Sequence, residues 1–486
     1  MQENRSRSSR LTFEGSPARW WKNVIVPAVP VLACFLGGAT EKWSEGIVLA
    51  FLGLLLVFDP PRSSLRPALN VILIALIGCA FTAFLPASWF AIPPWRLIFV
   101  NNFGINLPGT LSPQPYISFG CVVSFLAGLS WLYYVGTLEL ELRDVRRQLR
   151  FFATGIILIA ALSIALYHAQ SALPFWTNQR GFGPFPNRNQ TANIFGLTAV
   201  VILACGQDDI RHGRKRWIAW LVGLGVIVAA ILMNFSRAGI LLLVAGIALW
   251  FVGFALCKRS AIGIGLGLCV LLILLTSILV FGGSTFERFH LRGADVGGIT
   301  SDLRWAIFED TLQLIQASPW VGVGLGNFDG IFAIFRNASL NGNRTIHPES
   351  DWLWLWTELG WLAIPLILAG AAILVRRVFP LQEGTNQRFR LAVLIAAILF
   401  ALHGVIDVSG HRVGTVFSCV FLLGMALRRP ICLPQSRSVS WLFRLIGLLM
   451  LAFGITWVVA TRYEMSLPGA VGVEIFLGFA LKYSAV

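Results

Sequence analysis

The sequence predicts an all-α polytopic membrane protein. Of its 486 residues 56% are hydrophobic and 13% charged, with a mean hydropathy of +0.74, whereas about a quarter of a soluble domain is charged. Apolar runs close to the roughly 20 residues that cross a bilayer recur along the whole chain. In hydrocarbon such runs must be helical, because their backbone groups find partners only inside the segment. Basic residues sit in short clusters between the runs. The formal charge of +15 therefore reads as a topology signal, and no nucleic-acid partner is expected.

Residues 1–23 are basic and polar and read as a retained cytoplasmic tail. Apolar spans follow at about 24–39, 46–58, 68–85, 116–136, 151–168, 190–205, 217–234, 239–257, 261–282, 352–375, 391–408, 413–427 and 442–460. Alternating sides from a cytoplasmic start puts Arg62 and Arg66, Arg143 to Arg150, Arg211 to Arg216, Lys258 and Arg259, Arg376 to Arg390, and Arg428 to Arg444 all on one side. One miscounted span would scramble that pattern, so about 12–14 spans are expected. The outside segments are then 86–115, 169–190, the turn from Asn234 to Gly239, the long loop 283–351, the turn after Asp407 and the C-terminal tail, with a weakly apolar patch from Val471 to Leu481. By this reading 24–179 holds the first helices, 180–375 the region that carries chemistry, and 376–486 the last helices and tail. The eight cysteines include no CxxC, and neither a disulfide nor a thiolate metal site is expected.

The stretch from Thr300 to Trp361 is the one long region that is neither apolar span nor short connector, the usual place for a membrane protein's chemistry. Arg237, in Ser236-Arg237-Ala238-Gly239, lies between two apolar runs. An arginine at mid-bilayer costs about 2.5–3.5 kcal/mol, so it either meets an anion or snorkels to headgroups. Arg304 opens an amphipathic segment with Leu303, Ile307 and Leu314 near one face and Asp302 at its start; it reads as a site residue or as a headgroup contact. The run Pro319 to Phe328 places glycines at 322, 324 and 326, either to converge N–H groups on an oxyanion or to make a turn. No strand precedes it, which excludes a dinucleotide fingerprint.

In His347-Pro348-Glu349-Ser350-Asp351, Ser350 or Asp351 can cap the helix that follows. His347 and Glu349 are left at a water-facing end, placed to accept a proton from a hydroxyl. Trp352, Trp354, Trp356 and Trp361 suit an interfacial belt or a platform for sugar rings. The polar stretch Arg180 to Gln190, with Arg188 and Asn189, can hold a ligand's edges or cap a helix. His403, Asp407, His411 and Arg412 cluster outside, but their spacing matches no metal template and no metal is expected.

Phe185-Pro186-Asn187-Arg188-Asn189, Ser236 to Gly239, Arg304-Trp305, the Pro319 to Phe328 glycine run, and His347 through Glu358-Leu359-Gly360, in this order over about 180–375, resemble the O-antigen ligase and O-antigen polymerase superfamily of membrane glycosyltransferases. The resemblance implies a GT-C-like helical fold in the bacterial inner membrane with its site facing the periplasm. It implies glycan transfer from undecaprenyl pyrophosphate to an acceptor hydroxyl, on lipid A core for a ligase or on a second lipid-linked repeat for a polymerase. Membrane lipids surround the site, no cofactor or metal takes part, and the anomeric centre inverts. Carried over by position, Arg237 and Arg304 hold the pyrophosphate, while Arg188, Asn189, Gly324, Gly326 and Asp351 contact substrate. The chain departs from the family pattern in one place: where His-Asn more often precedes the helix it reads Glu349-Ser350, with His347 two residues earlier, so either His347 or Glu349 is the base. A ligase is the expected activity and a polymerase the alternative. A lipid-linked glycan transporter fits less well, because no inverted repeat is visible and the polar residues gather at one face.

Overall fold

A computed structural model describes residues 20–138, 140–176, 182–258, 303–340, 344–379, 381, 387–427 and 432–463. The polar tail as far as residue 19, the predicted span 261–282, Arg180 and Gly181, Asp302, most of the first half of the long loop, and the patch from Val471 to Leu481 lie outside the described residues.

The protein is an all-α polytopic membrane protein. Among the described residues there are sixteen α-helices and a single two-stranded sheet. The helices are α1 (Lys22–Phe35), α2 (Lys42–Phe58), α3 (Pro67–Phe81), α4 (Pro94–Phe103), α5 (Pro115–Thr137), α6 (Leu142–His168), α7 (Arg188–Arg211), α8 (Trp217–Met233) and α9 (Arg237–Lys258). After the undescribed stretch come α10 (Leu303–Ala317), α11 (Phe328–Phe332), α12 (Asp351–Leu359), α13 (Ala363–Val378), α14 (Gln387–His403), α15 (Val413–Ala426) and α16 (Arg437–Arg462). Among the described residues five helical segments are long and apolar enough to cross a membrane, at 67–84, 115–137, 142–168, 188–211 and 437–462, and four shorter apolar helices accompany them. Val71, Ile74, Leu158, Leu221, Val222 and Leu449 point outward from these helices, as lipid-facing side chains do and soluble surfaces do not.

Helix α7 is the axis. It is enclosed by α6, α8, α9 and α14, and its apolar side chains from Ile194 to Ile202 are buried. At the seam between α2 and α16 the backbones come close: Gly46 and Gly53 face Gly454 and Gly447, and a Cβ on Gly53 would fall 2.6 Å from the Gly447 carbonyl oxygen. Small residues at this spacing let two backbones touch where lipid offers no hydrophobic push. The connectors next to that seam pair as strands, Ser63–Leu65 against Cys432–Gln435.

Charges sort to the two ends of the bundle. At the end holding the predicted cytoplasmic clusters, Lys22 pairs with Asp59, Asn23 with Asp144, and Arg150 with both Asp208 and Asp209. The opposite end carries the predicted outside segments, and here the structure differs from the sequence reading in two ways. The expected connector 86–115 contains α4. The expected span 352–375 is broken at Gly360, whose φ of 77° and ψ of 174° suit only glycine and where a Cβ would lie 2.2 Å from the Trp320 carbonyl oxygen. Helix α12 is thereby freed from the membrane run of α13. It joins α4, α10 and α11 in an outer layer around Trp95, Phe99, Ile307, Leu314, Val323, Phe328 and Phe332, with Trp354 against its edge.

Two carboxylates shape the loop inside this layer. Asp310 is buried and accepts hydrogen bonds from the Asn337, Ala338 and Ser339 amides and the Ser339 hydroxyl. Burial alone would raise its pKa, but these donors hold it below the usual value. Glu358 accepts from the Phe328 amide.

Candidate active site

The outer end collects the residues that the sequence marks. Asn187 caps α7 through the Asn189 amide, and Asn234 donates to the Arg188 carbonyl at 2.6 Å. The Ser236 hydroxyl donates to Asn189 Oδ1 at 2.8 Å while accepting the Gly239 amide at 3.1 Å. These bonds lock together the starts of α7 and α9, whose first residues are Arg188 and Arg237. Two helix N-termini, each opened by an arginine, thus lie side by side, and both the backbone dipoles and the guanidinium groups favour an anion.

From α7 the network continues inward along one face. Asn193 meets His403 Nδ1 at 2.8 Å, and the Ser409 hydroxyl meets the same nitrogen at 2.9 Å. This fixes the turn between α14 and α15 against α7. Asp351, at the start of α12, then ties in that turn: its amide donates to the Gly404 carbonyl at 2.8 Å, and its carboxylate accepts from the Gly410 amide at 2.7 Å and pairs with His411 Nδ1 at 2.9 Å. The His411 ring lies flat on Trp354, with centroids 3.9 Å apart and planes at 6°. Trp354 also lies 5.8 Å from the His347 ring.

The remaining pair completes the cluster. His347 Nδ1 is 3.4 Å from Glu349 Oε1, and Glu349 Oε2 is 3.6 Å from Arg304 Nε. Glu349 holds a φ of 53°, the left-handed region that a side chain of its kind seldom adopts. Such strain, costing about 1–3 kcal/mol, persists where the surroundings impose it and is concentrated at functional sites. Burial pushes the His347 pKa down to about 4, helped by Arg412 and His411 and opposed by Asp407, so the ring is neutral at physiological pH.

Arg304, His347, Glu349 and Asp351 therefore come together, and Arg237, Arg188 and Asn189 join them through α7. The glycine run behaves differently. The Gly324 amide donates to the Glu358 carbonyl, and Gly326 is pressed against Ile117 and Cys121 of α5, where a Cβ would lie 2.7 Å from the sulfur. Asn327 donates from the same loop to Ser112 and Ser118. The structure thus packs Gly324 and Gly326 between α5 and α12, with the Gly324 amide already engaged. Sequence reasoning missed the tie between Asn193 and His403 and the bonding of Asp351 to the turn at Gly404 and Gly410. It noted His403 to Arg412 as a cluster but could not link it to residues some 60 positions earlier. No group of three or more His, Cys, Asp or Glu side chains with a metal-site arrangement occurs among the described residues.

No curated protein matches the chain. Residues 221–368, which contain Arg237, Arg304, Gly324, Gly326, His347, Glu349 and Asp351, match the family model described as O-antigen ligase, and over this stretch the chain carries a domain of the O-antigen ligase and polymerase superfamily.

Proposed function

We propose that the protein transfers a glycan from undecaprenyl pyrophosphate to an acceptor hydroxyl at the periplasmic face of the bacterial inner membrane, as a ligase acting on lipid A core or a related acceptor. The observation that carries this reading is the line Arg304, Glu349, His347. It sets a cation for a leaving phosphate beside an oriented base, at the end of the bundle where Arg188 and Arg237 begin their helices.

Glu349 is the positioning residue and His347 the base. With Nδ1 facing Glu349, Nε2 is the ring nitrogen left for the acceptor O–H. The neutral imidazole takes the hydroxyl proton as the acceptor oxygen attacks the anomeric carbon; the bond to the pyrophosphate oxygen breaks, and its electron pair leaves with undecaprenyl pyrophosphate. Attack from the opposite face inverts that carbon. Pyrophosphate needs no proton to leave once its developing charge is met by Arg237 and Arg304, so no general acid is required. Arg188 and Asn189 are assigned to the polar edges of the sugar, Asp351 would serve by holding His411 and the turn at Gly410 in place beside it, and Gly324 and Gly326 by shaping the wall behind it.

The test is to combine purified protein with a glycan on undecaprenyl pyrophosphate, with and without lipid A core, and to follow product mass. Glycan on the core, formed only when core is present, is the expected result. Lengthened lipid-linked glycan without core would replace ligation by polymerisation. Donor that disappears across the membrane with no new glycosidic bond would replace both by transport.

A further inference from the structure

Arg412 lies in the same cluster but outside the stretch matched by the family. It directly precedes α15 and directly follows His411, which is held by Asp351 and stacked on Trp354. Among the described residues its Nε is shut away from solvent without a hydrogen-bond partner, and no carboxylate forms an ion pair with its guanidinium. The acidic groups whose charge reaches it are Asp407, Asp351, Glu41 and Glu45. Three of these are engaged elsewhere: Asp351 with Gly410 and His411, Glu45 with Lys42 and Ser124, and Asp407 Oδ1 with the Val408 amide. At the far end of the bundle Arg150 shares the buried, unbonded Nε but has two aspartates on its Nη2.

A guanidinium partly withdrawn from water without a counter-ion is costly and is retained where an anion arrives to meet it. Its planar fork fits two oxygens of one phosphate. It also stands within electrostatic reach of His347, on which it is the strongest single charge. We propose that Arg412 is a third arginine of the donor site, binding the pyrophosphate of the lipid-linked donor beside His347. This rests on the donor reading given above and adds to it a residue from the last third of the chain. A phospholipid headgroup offers the same chemistry, and the experiment separates the two.

The full chain is placed in phosphatidylcholine nanodiscs, and inorganic pyrophosphate binding, transfer kinetics and unfolding temperature are measured for wild type, Arg412→Gln and Arg412→Lys. In Arg412→Gln the pyrophosphate Kd and the donor KM rise roughly ten- to hundredfold, as loss of charged hydrogen bonds predicts. Arg412→Lys recovers part of this, and the unfolding temperature does not fall. Unchanged Kd and KM in folded Arg412→Gln would overturn the inference while leaving glycan transfer intact. Arg412-dependent pyrophosphate binding by a wild type that transfers no glycan would sustain the anion site and remove the transfer reading instead. Displacement of pyrophosphate by phosphatidylglycerol at equal concentration would assign the site to headgroups and overturn it. Should the variants fail to fold, phenylglyoxal labelling of the wild type decides: pyrophosphate protects Arg412 from modification, and equal labelling with and without it refutes the proposal.

Discussion

The two ends of the bundle treat charge in opposite ways. At the basic end, among the described residues, Lys22 is met at short range by Asp59 and Arg150 by two aspartates, with Tyr134 and Trp220 adding hydrogen bonds to Asp59 and Asp209. At the outer end Arg304 has a longer contact with Glu349, and Arg412 has no ion pair among the described residues. The first arrangement holds helices together. The second leaves positive charge available, which is what a site for a pyrophosphate needs.

The sharpest way to break that contrast is to remove one charge from each end. Arg304→Gln is expected to lower kcat by about 10³-fold, the effect of losing one charge stabiliser at a leaving group, with the amount of folded protein unchanged. Arg150→Gln is expected to do the reverse, lowering the unfolding temperature while kcat per folded molecule holds, because it strands two buried carboxylates. Equal effects of both on kcat would erase the distinction. Next in size, His347→Gln should cost about 10²–10³-fold in kcat and Glu349→Gln about tenfold, since one is assigned the proton transfer and the other its orientation. Single-turnover transfer assays measure both, and the opposite order would move the base to Glu349.

A smaller effect is expected with pH. As the proposed base, His347, faced by Glu349, Arg412, His411 and Asp407, would act only when neutral, and its pKa of about 4 would keep the rate flat from pH 7 to about 5 before it falls. Removing Arg412 takes away a positive charge, so the acidic limb of the rate profile shifts to higher pH. The same ring affects stability. Between its ordinary value of 6.5 and about 4 the unfolded chain binds the proton and the folded chain does not, so stability declines as pH falls through that window. The loss is capped at about 3 kcal/mol. His347→Gln should flatten this part of a denaturation curve measured against pH. The least local change is Gly53→Ala, which touches neither end: it should push α2 from α16 and lower the unfolding temperature with no change in donor KM.

Much of this architecture is legible in sequence, for identifiable reasons. Span positions follow from apolar run length, and the sorting of Arg62, Arg150 and Arg214 from Asn189, Ser236 and His347 follows from the positive-inside bias. The break at Gly360 was not legible, because the apolar pattern runs straight through it; the cause is a backbone approach from Trp320, over 30 residues away in sequence. Helix α4 was hidden for the complementary reason: its ten residues are too few and too mixed to stand out, and it is held by Trp95 packing on a loop two hundred residues later. In the site, residue types could be read off, but not their partners. That Asp351 would be spent on His411 and Gly410, and the Gly324 amide on Glu358, depends on which helix ends meet, which local pattern does not encode.

The glycine seam between α2 and α16 also bears on how the chain is made. Helix α2 emerges from the ribosome early, yet its small-residue face stays uncovered until almost four hundred further residues have been synthesised and α16 arrives to fill it. The strand pairing of Ser63–Leu65 with Cys432–Gln435 is delayed in the same way. Insertion of the first helices therefore cannot complete assembly, and a chain stopped short of Arg437 would present an open seam to membrane quality control while the residues of its candidate site were already in place.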